Sequence, residues 1–192
     1  MNKILTLILI MMAAQLSANE TKTTQDLINM GKVVNFNNLE FHLKWSANPS
    51  AKYFKQEYLQ SGSSLDNYKE MITVDALKGK LTLEQALKIK IQELQQLKKT
   101  NPIVNYSVYQ KDKSYTLDFI MTDGGELFEW NLYKYINKGT GEKQHLVLCS
   151  YTYRKIIKTQ EMAEQFFGYI KDQRNNMIQE LHKIDISSVE IK

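Results

Sequence analysis

The chain is short of cysteine, proline and glycine, with one, two and eight of them in 192 residues. A single cysteine excludes an internal disulfide, so stability must come from a buried core. So little proline and glycine excludes collagen-like and low-complexity chains. No block of roughly five or more like charges occurs, which argues against a nucleic-acid-binding tail. No apolar run approaches the about 20 residues of a membrane-spanning helix. What is present is ordinary for one globular domain: 43% hydrophobic and 24% charged residues, with a net charge of +4.

Residues 1–18 break this composition. Lys3 precedes an apolar run from Ile4 to Ala14 interrupted only by Thr6, and Ala18 stands before Asn19. A short basic start, an apolar stretch and a small residue at the cut predict a cleavable signal peptide, with export to the periplasm or the extracellular space. The alternative is a retained membrane anchor, for which the run is too short. Removing it lowers the net charge to +3 and leaves no stable anchor. Residues 19–30 are polar, and residues 19–37 are expected to form a loosely held arm, followed by one domain over 38–192.

Within that domain, Leu39, Phe41, Leu43 and Trp45 alternate with Glu40, His42 and Lys44, the pattern of a half-buried strand that ends at Ser46 to Ser50. Tyr53 to Leu59 and Glu70 to Leu77 read as two more strands. Thr82 with Gln85 makes a capping-box pattern, and Leu83, Leu87, Ile91, Leu94 and Leu97 then share one helical face until Asn101-Pro102. Four strands follow: Ile103 to Gln110, Tyr115 to Thr122, Leu127 to Ile136 and Gln144 to Arg154. Asp123-Gly124-Gly125 is the strongest hairpin signal, read with positive φ at both glycines. Leu146 to Leu148 is apolar on both faces, which predicts a central strand. A long helix begins near Thr159, with Met162, Phe166, Ile170, Met177, Leu181 and Ile184 as its apolar stripe. The predicted fold is α+β: an antiparallel sheet of six or seven strands packed with two amphipathic helices, in an α/β/α sandwich-like arrangement.

The segment YFKQEYLQSGSSLDNYKEMITV, Tyr53 to Val74, resembles a pattern found in small exported bacterial proteins of uncharacterised function. The order of elements is similar to the Mog1/PsbP-like sandwich. That resemblance implies a non-catalytic binding or assembly role toward protein partners, and it carries over no site residues.

Chemical signatures are few. His42, His145 and His182 lack metal-ligand spacing, and no cofactor or metal is expected. Cys149 and His145 sit about 13 Å apart on one strand face, too far for a nucleophile and its base. Cys149 reads as a buried, inert thiol, or as an intermolecular partner if exposed. Glu40, Glu57, Asp118 and Glu129 form either a carboxylate pair for hydrolysis or simply a solvated face.

The distinctive feature is eleven tyrosines. Tyr133 and Tyr135 share a face opposite Trp130, and Tyr151 and Tyr153 share one with Cys149. These five aromatic residues are the candidate binding patch, unless they form the rim of a helix-covered core. The functional expectation is an exported binding module for another envelope or secreted protein, as a monomer or weak dimer, without nucleic acid. The alternatives are a carrier of a small apolar or aromatic ligand held between sheet and helix, and a hydrolase.

Overall fold

The computed structural model describes residues 24–141 and 144–191. The expected signal peptide lies outside the described residues, as does the start of the expected arm. The elements run β1 (Val33–Phe36), β2 (Leu39–Ser50), β3 (Tyr53–Leu59), β4 (Glu70–Lys78), α1 (Leu83–Lys98), β5 (Asn105–Lys111), β6 (Ser114–Thr122), β7 (Leu127–Lys138), β8 (His145–Ile156) and α2 (Gln160–Lys183).

The strands make one sheet in the order β1-β2-β3-β4-β8-β7-β6-β5. Every pairing is antiparallel. The chain therefore makes two four-stranded meanders joined where β4 pairs with β8. Between them α1 carries the chain from the middle of the sheet to its far edge. Among the described residues the count is eight strands, where the sequence pattern suggested six or seven. The additional strand is β1, joined to β2 by Asn37-Asn38 with φ of 49° and 61°. Asparagine tolerates this left-handed region, so a tight turn forms without glycine.

Each helix starts where the sequence indicated. Thr82 and Gln85 form the reciprocal capping box, and Thr159 caps α2 through the amide of Met162. The helices lie on opposite faces of the sheet. Under α2, Phe166, Ile170, Met177 and Leu181 pack on Ile72, Val74, Trp130, Leu132 and Tyr151. Under α1, Leu83, Leu87 and Leu94 pack on Leu117, Phe119, Tyr135, Leu146 and Leu148. Each fully buried side chain of this kind contributes about 1.5–3 kcal/mol.

Three sequence expectations are corrected. The arm is not loose from residue 24 onward: Ile28 is fully buried, and its amide and that of Leu27 donate to Gln56 Oε1 at 3.2 and 2.5 Å. Gln56 also donates to the Tyr58 hydroxyl, which donates in turn to the Gly31 carbonyl. In β2, a register shift between Leu43 and Trp45 turns Trp45 to the other face, opposite Glu57, and the strand continues to Ser50 through a second irregularity. Of the two glycines after Asp123, only Gly124 has a positive φ, because the hairpin loop is four residues rather than two.

Candidate functional site

The five aromatic candidates do not form one exposed patch. Trp130 and Tyr151 are fully buried under α2, and Tyr153 is stacked on Phe166 with ring centroids 5.6 Å apart. Tyr133 and Tyr135 sit on the α1 face, where Tyr135 is buried and Tyr133 half-buried. Alternation along β7 and β8 separates the two groups, so these rings belong to two different interiors. Cys149 is buried beside the first group, and burial pushes its thiol up to about 12.

The carboxylate candidates do not converge. Glu40 is exposed, and Asp118 lies on the α2 face, bound to Trp130 Nε1 and Arg174 Nε at 2.8 Å each. Glu57 and Glu129 share the α1 face. Their register positions are three strands and four residues apart, a backbone separation of about 20 Å. Paired glycosidase carboxyls stand roughly 5 to 9.5 Å apart. The histidines are dispersed on β2, β8 and the end of α2, where His182 Nε2 lies 3.0 Å from Thr116 Oγ1. Among the described residues no cluster of histidine, cysteine and carboxylates could hold a metal ion.

Tyr133 and Tyr135 instead help to line a cavity of about 190 Å³ between α1 and the middle of the sheet. A single water needs roughly 10–15 Å³ on the same measure. The cavity exists because of what the central strands carry on this face. Thr73 of β4 pairs with Ser150 of β8, which pairs with Tyr133 of β7. In the next row Thr152 pairs with Asn131. Thr73, Ser150, Thr152 and Asn131 are all 7% exposed or less, so this face carries buried hydroxyls and an amide in place of hydrocarbon, and Ser150 is smaller than any branched apolar residue. On the opposite face the same strands present Ile72, Val74, Tyr151, Leu132 and Trp130, which pack solidly.

Charged groups ring this polar floor. From the sheet come Lys55, Asp75 and Glu129, and from α1 come Lys90 and Glu93, one helical turn apart. Lys55 Nζ holds Glu57 at 2.8 Å, and Lys90 Nζ holds Glu93 at 2.9 Å. The Tyr53 hydroxyl donates to Asp75 Oδ1 at 2.5 Å. Burial raises the Asp75 carboxyl above its usual range, against the pull of Lys55 and of Tyr53. For Lys55 burial acts downward, but Asp75 and Glu57 outweigh it and hold the ammonium above its ordinary value. Burial also raises Glu129, opposed by Arg154 and Asn131.

The side wall is Tyr68, whose ring is backed by the Arg154 guanidinium 3.6 Å from its centroid. Arg154 is itself fixed by donating to the Tyr68 and Asp66 carbonyls at 2.6 and 2.9 Å. Asn131 joins the floor to the charged rim. Its Oδ1 accepts from the Thr152 hydroxyl at 2.8 Å, while its Nδ2 lies beside the Glu129 carboxylate and is poorly aligned with it. A buried amide donor held this loosely can also donate to a group that enters the cavity.

The motifs sought in the sequence missed this site, but a signal was there. Thr73 and Asp75 alternate with Ile72 and Val74, and Ser150 and Thr152 alternate with Tyr151 and Tyr153. In strands covered on both faces, such alternation marks a polar interior. The chain belongs to an uncharacterised protein family, whose model matches residues 28–186. That span takes in both helices and all eight strands, and hence every residue of the cavity floor. No curated protein and no solved structure matches the chain.

Proposed function

We propose that the protein is an exported, non-catalytic binding module whose ligand is a small molecule held between the sheet and α1. The observation that carries this is the difference between the two faces of the central strands: one is a packed apolar core, the other a cavity floored by buried hydroxyls and an amide. Enclosed pockets with a few convergent polar groups are the usual form of a small-ligand site. Docking of a protein through the tyrosines would need them at the surface, and four of the five candidate aromatics are buried. Glu57 and Glu129 stand too far apart to act as a pair, and the two carboxylates that do lie close, Asp75 and Glu57, both serve Lys55, which favours binding over hydrolysis. Export rests on the composition of residues 1–18, and the likeness to the Mog1/PsbP-like sandwich on the order of elements.

Native mass spectrometry of the protein recovered gently from its own host tests this reading. A small-molecule adduct is expected, and it should be lost in Ser150→Phe, whose ring would occupy the cavity. A bare chain, together with a melting temperature that no member of a metabolite library raises, would remove the reading. Trp45 supplies a second readout, because Lys55 of the cavity stands 6.0 Å from its ring. Trp130, sealed on the other face, serves as the internal control.

A further inference from the structure

The cavity's chemistry also selects among small ligands, on the premise that it is a binding site. We infer that it takes a neutral, hydroxyl-rich ligand of about monosaccharide size, a cyclic polyol or a single sugar ring.

Three observations lead there. First, the charges around the cavity are largely matched within the protein: Lys55 with Glu57 and Asp75, Lys90 with Glu93, and Glu129 with Arg154. A charged ligand would have to break such pairs or enter a low-dielectric space without a counter-charge. Second, the floor is too polar for an apolar guest. Covering Asn131, Ser150 and Thr152 with hydrocarbon would strip water from them and return no hydrogen bond. Third, Asn131 Nδ2 and the Glu129 carboxylate stand side by side, a donor and an acceptor, the amide close enough to hold that carboxyl's pKa down in part. Adjacent donor and acceptor sites suit neighbouring hydroxyls, since each hydroxyl both donates and accepts.

The remaining walls agree with this assignment. Met71, Leu148 and Ala86 offer apolar contact to ring C–H groups, while the Tyr68 ring is held rigid by Arg154. A flat aromatic ligand would find the Tyr133 ring already engaged, by Phe119 at 4.9 Å between centroids and by Lys90 Nζ at 5.6 Å.

Saturation-transfer NMR on the full chain tests the inference with myo-inositol, glucose and N-acetylglucosamine as probes, and with indole and decanoate as apolar comparators. At millimolar concentration at least one of the three polyols should show saturable transfer. Binding should weaken about tenfold in Asn131→Leu, the loss of one hydrogen bond, and vanish in Ser150→Phe. The unliganded double variant Asn131→Leu with Thr152→Val, which removes both partners of the buried hydrogen bond, should show the same loss of binding with no fall in melting temperature, which separates loss of recognition from loss of fold. Transfer from indole or decanoate alone, abolished by Ser150→Phe, would overturn the ligand class while leaving the cavity a binding site. Silence from all five probes would overturn the ligand class as well, and the native mass measurement would then decide the binding reading by itself.

Discussion

Lys134 is the most consequential single side chain outside the cavity. It sits in the middle of β7 on the α2 face at 7% exposure, and its Nζ donates to the carbonyls of Leu181, His182 and Ile184 at 3.5, 3.2 and 3.3 Å. These belong to the last turn of α2, where helix carbonyls have no partner in the helix and the dipole favours a cation. Leu181 and Ile184 are themselves buried, so water cannot replace the ammonium. Lys134→Met keeps the length and removes the donors. Two buried carbonyls left unpaired cost about 1–3 kcal/mol each, and removing an ammonium that burial disfavours returns part of this. The net loss should be about 2–4 kcal/mol, a fall in melting temperature of about 4–16 °C for a chain of this size. Urea unfolding followed by far-ultraviolet circular dichroism measures it directly.

The pH dependence of that difference gives an independent check. Burial, with help from Lys111, holds the folded Lys134 ammonium below its ordinary 10.5. Between the folded and unfolded pKa values the unfolded chain binds the extra proton, so this group's contribution to stability rises with pH up to about 10.5. The stability gap between wild type and Lys134→Met should therefore widen on the alkaline side. A variant as stable as wild type would refute the capping account and show that the burial penalty outweighs the three bonds, whereas a gap that narrows with rising pH would mean that the fold raises the Lys134 pKa and would overturn the burial argument.

Three further outcomes follow from the same reasoning. Burial raises the phenols of Tyr53, Tyr58, Tyr133 and Tyr151 above 10.0, so above pH 10 the unfolded chain releases protons that the folded one keeps. Stability present below that pH should drop by about 1.4 kcal/mol per pH unit for each such tyrosine. Tyrosinate absorbance should then appear together with loss of circular dichroism in one cooperative step, and a gradual titration of an intact fold would contradict this. Arg174→Met should cost about 2 kcal/mol by leaving the buried Asp118 carboxylate with Trp130 as its remaining donor. The cost should shrink toward pH 5, because the folded Asp118 pKa already lies above its ordinary 3.8 and moves higher, so protonation favours the folded state; equal loss at pH 5 and pH 7 would count against it. In the cavity, Asn131→Leu combined with Thr152→Val should match or exceed wild-type stability by about 1 kcal/mol, since both partners of a half-satisfied pair are removed together. A marked destabilisation of the double variant in thermal unfolding would mean that the pair is structural.

Both helices and the strands β3, β4, β6, β7 and β8 were legible in the sequence because each carries its own period and its own stop signals. Thr82 and Thr159 announce the helix starts, and Asn101-Pro102 the end of α1. What escaped depends on geometry that a period does not encode. The turn at Asn37-Asn38 uses asparagine where glycine is the usual sign, so β1 was absorbed into the arm. The bulge after Leu43 reverses the face of Trp45 without leaving a trace in the alternation. The tyrosines were assigned correctly to faces, with Tyr133 and Tyr135 opposite Trp130. Alternation does not say which faces the helices cover, and here both are covered.

That double coverage is what gives the polar floor its meaning. On an open face, Thr73, Ser150 and Thr152 would be ordinary solvent-side residues of an antiparallel sheet. Beneath α1, buried, Thr73 and Thr152 are positions where the isosteric valine would spare the fold a desolvated hydroxyl, and Ser150 one where a larger apolar side chain would fill space, each worth about 1 kcal/mol. Strands β4 and β8 carry such apolar chains without interruption on the α2 side from Ile72 to Ala76 and from Val147 to Tyr153. A shortage of apolar residues therefore does not explain the other side. The helix above is placed to match, since Ala86, the smallest buried residue of α1, stands over the cavity while Leu83, Leu87 and Leu94 close on the sheet around it. A fold that packs β4 and β8 with apolar chains on one face and leaves hydroxyls, a loosely held amide and empty volume on the other has given up stability at one place, and a ligand that completes those hydrogen bonds would recover it.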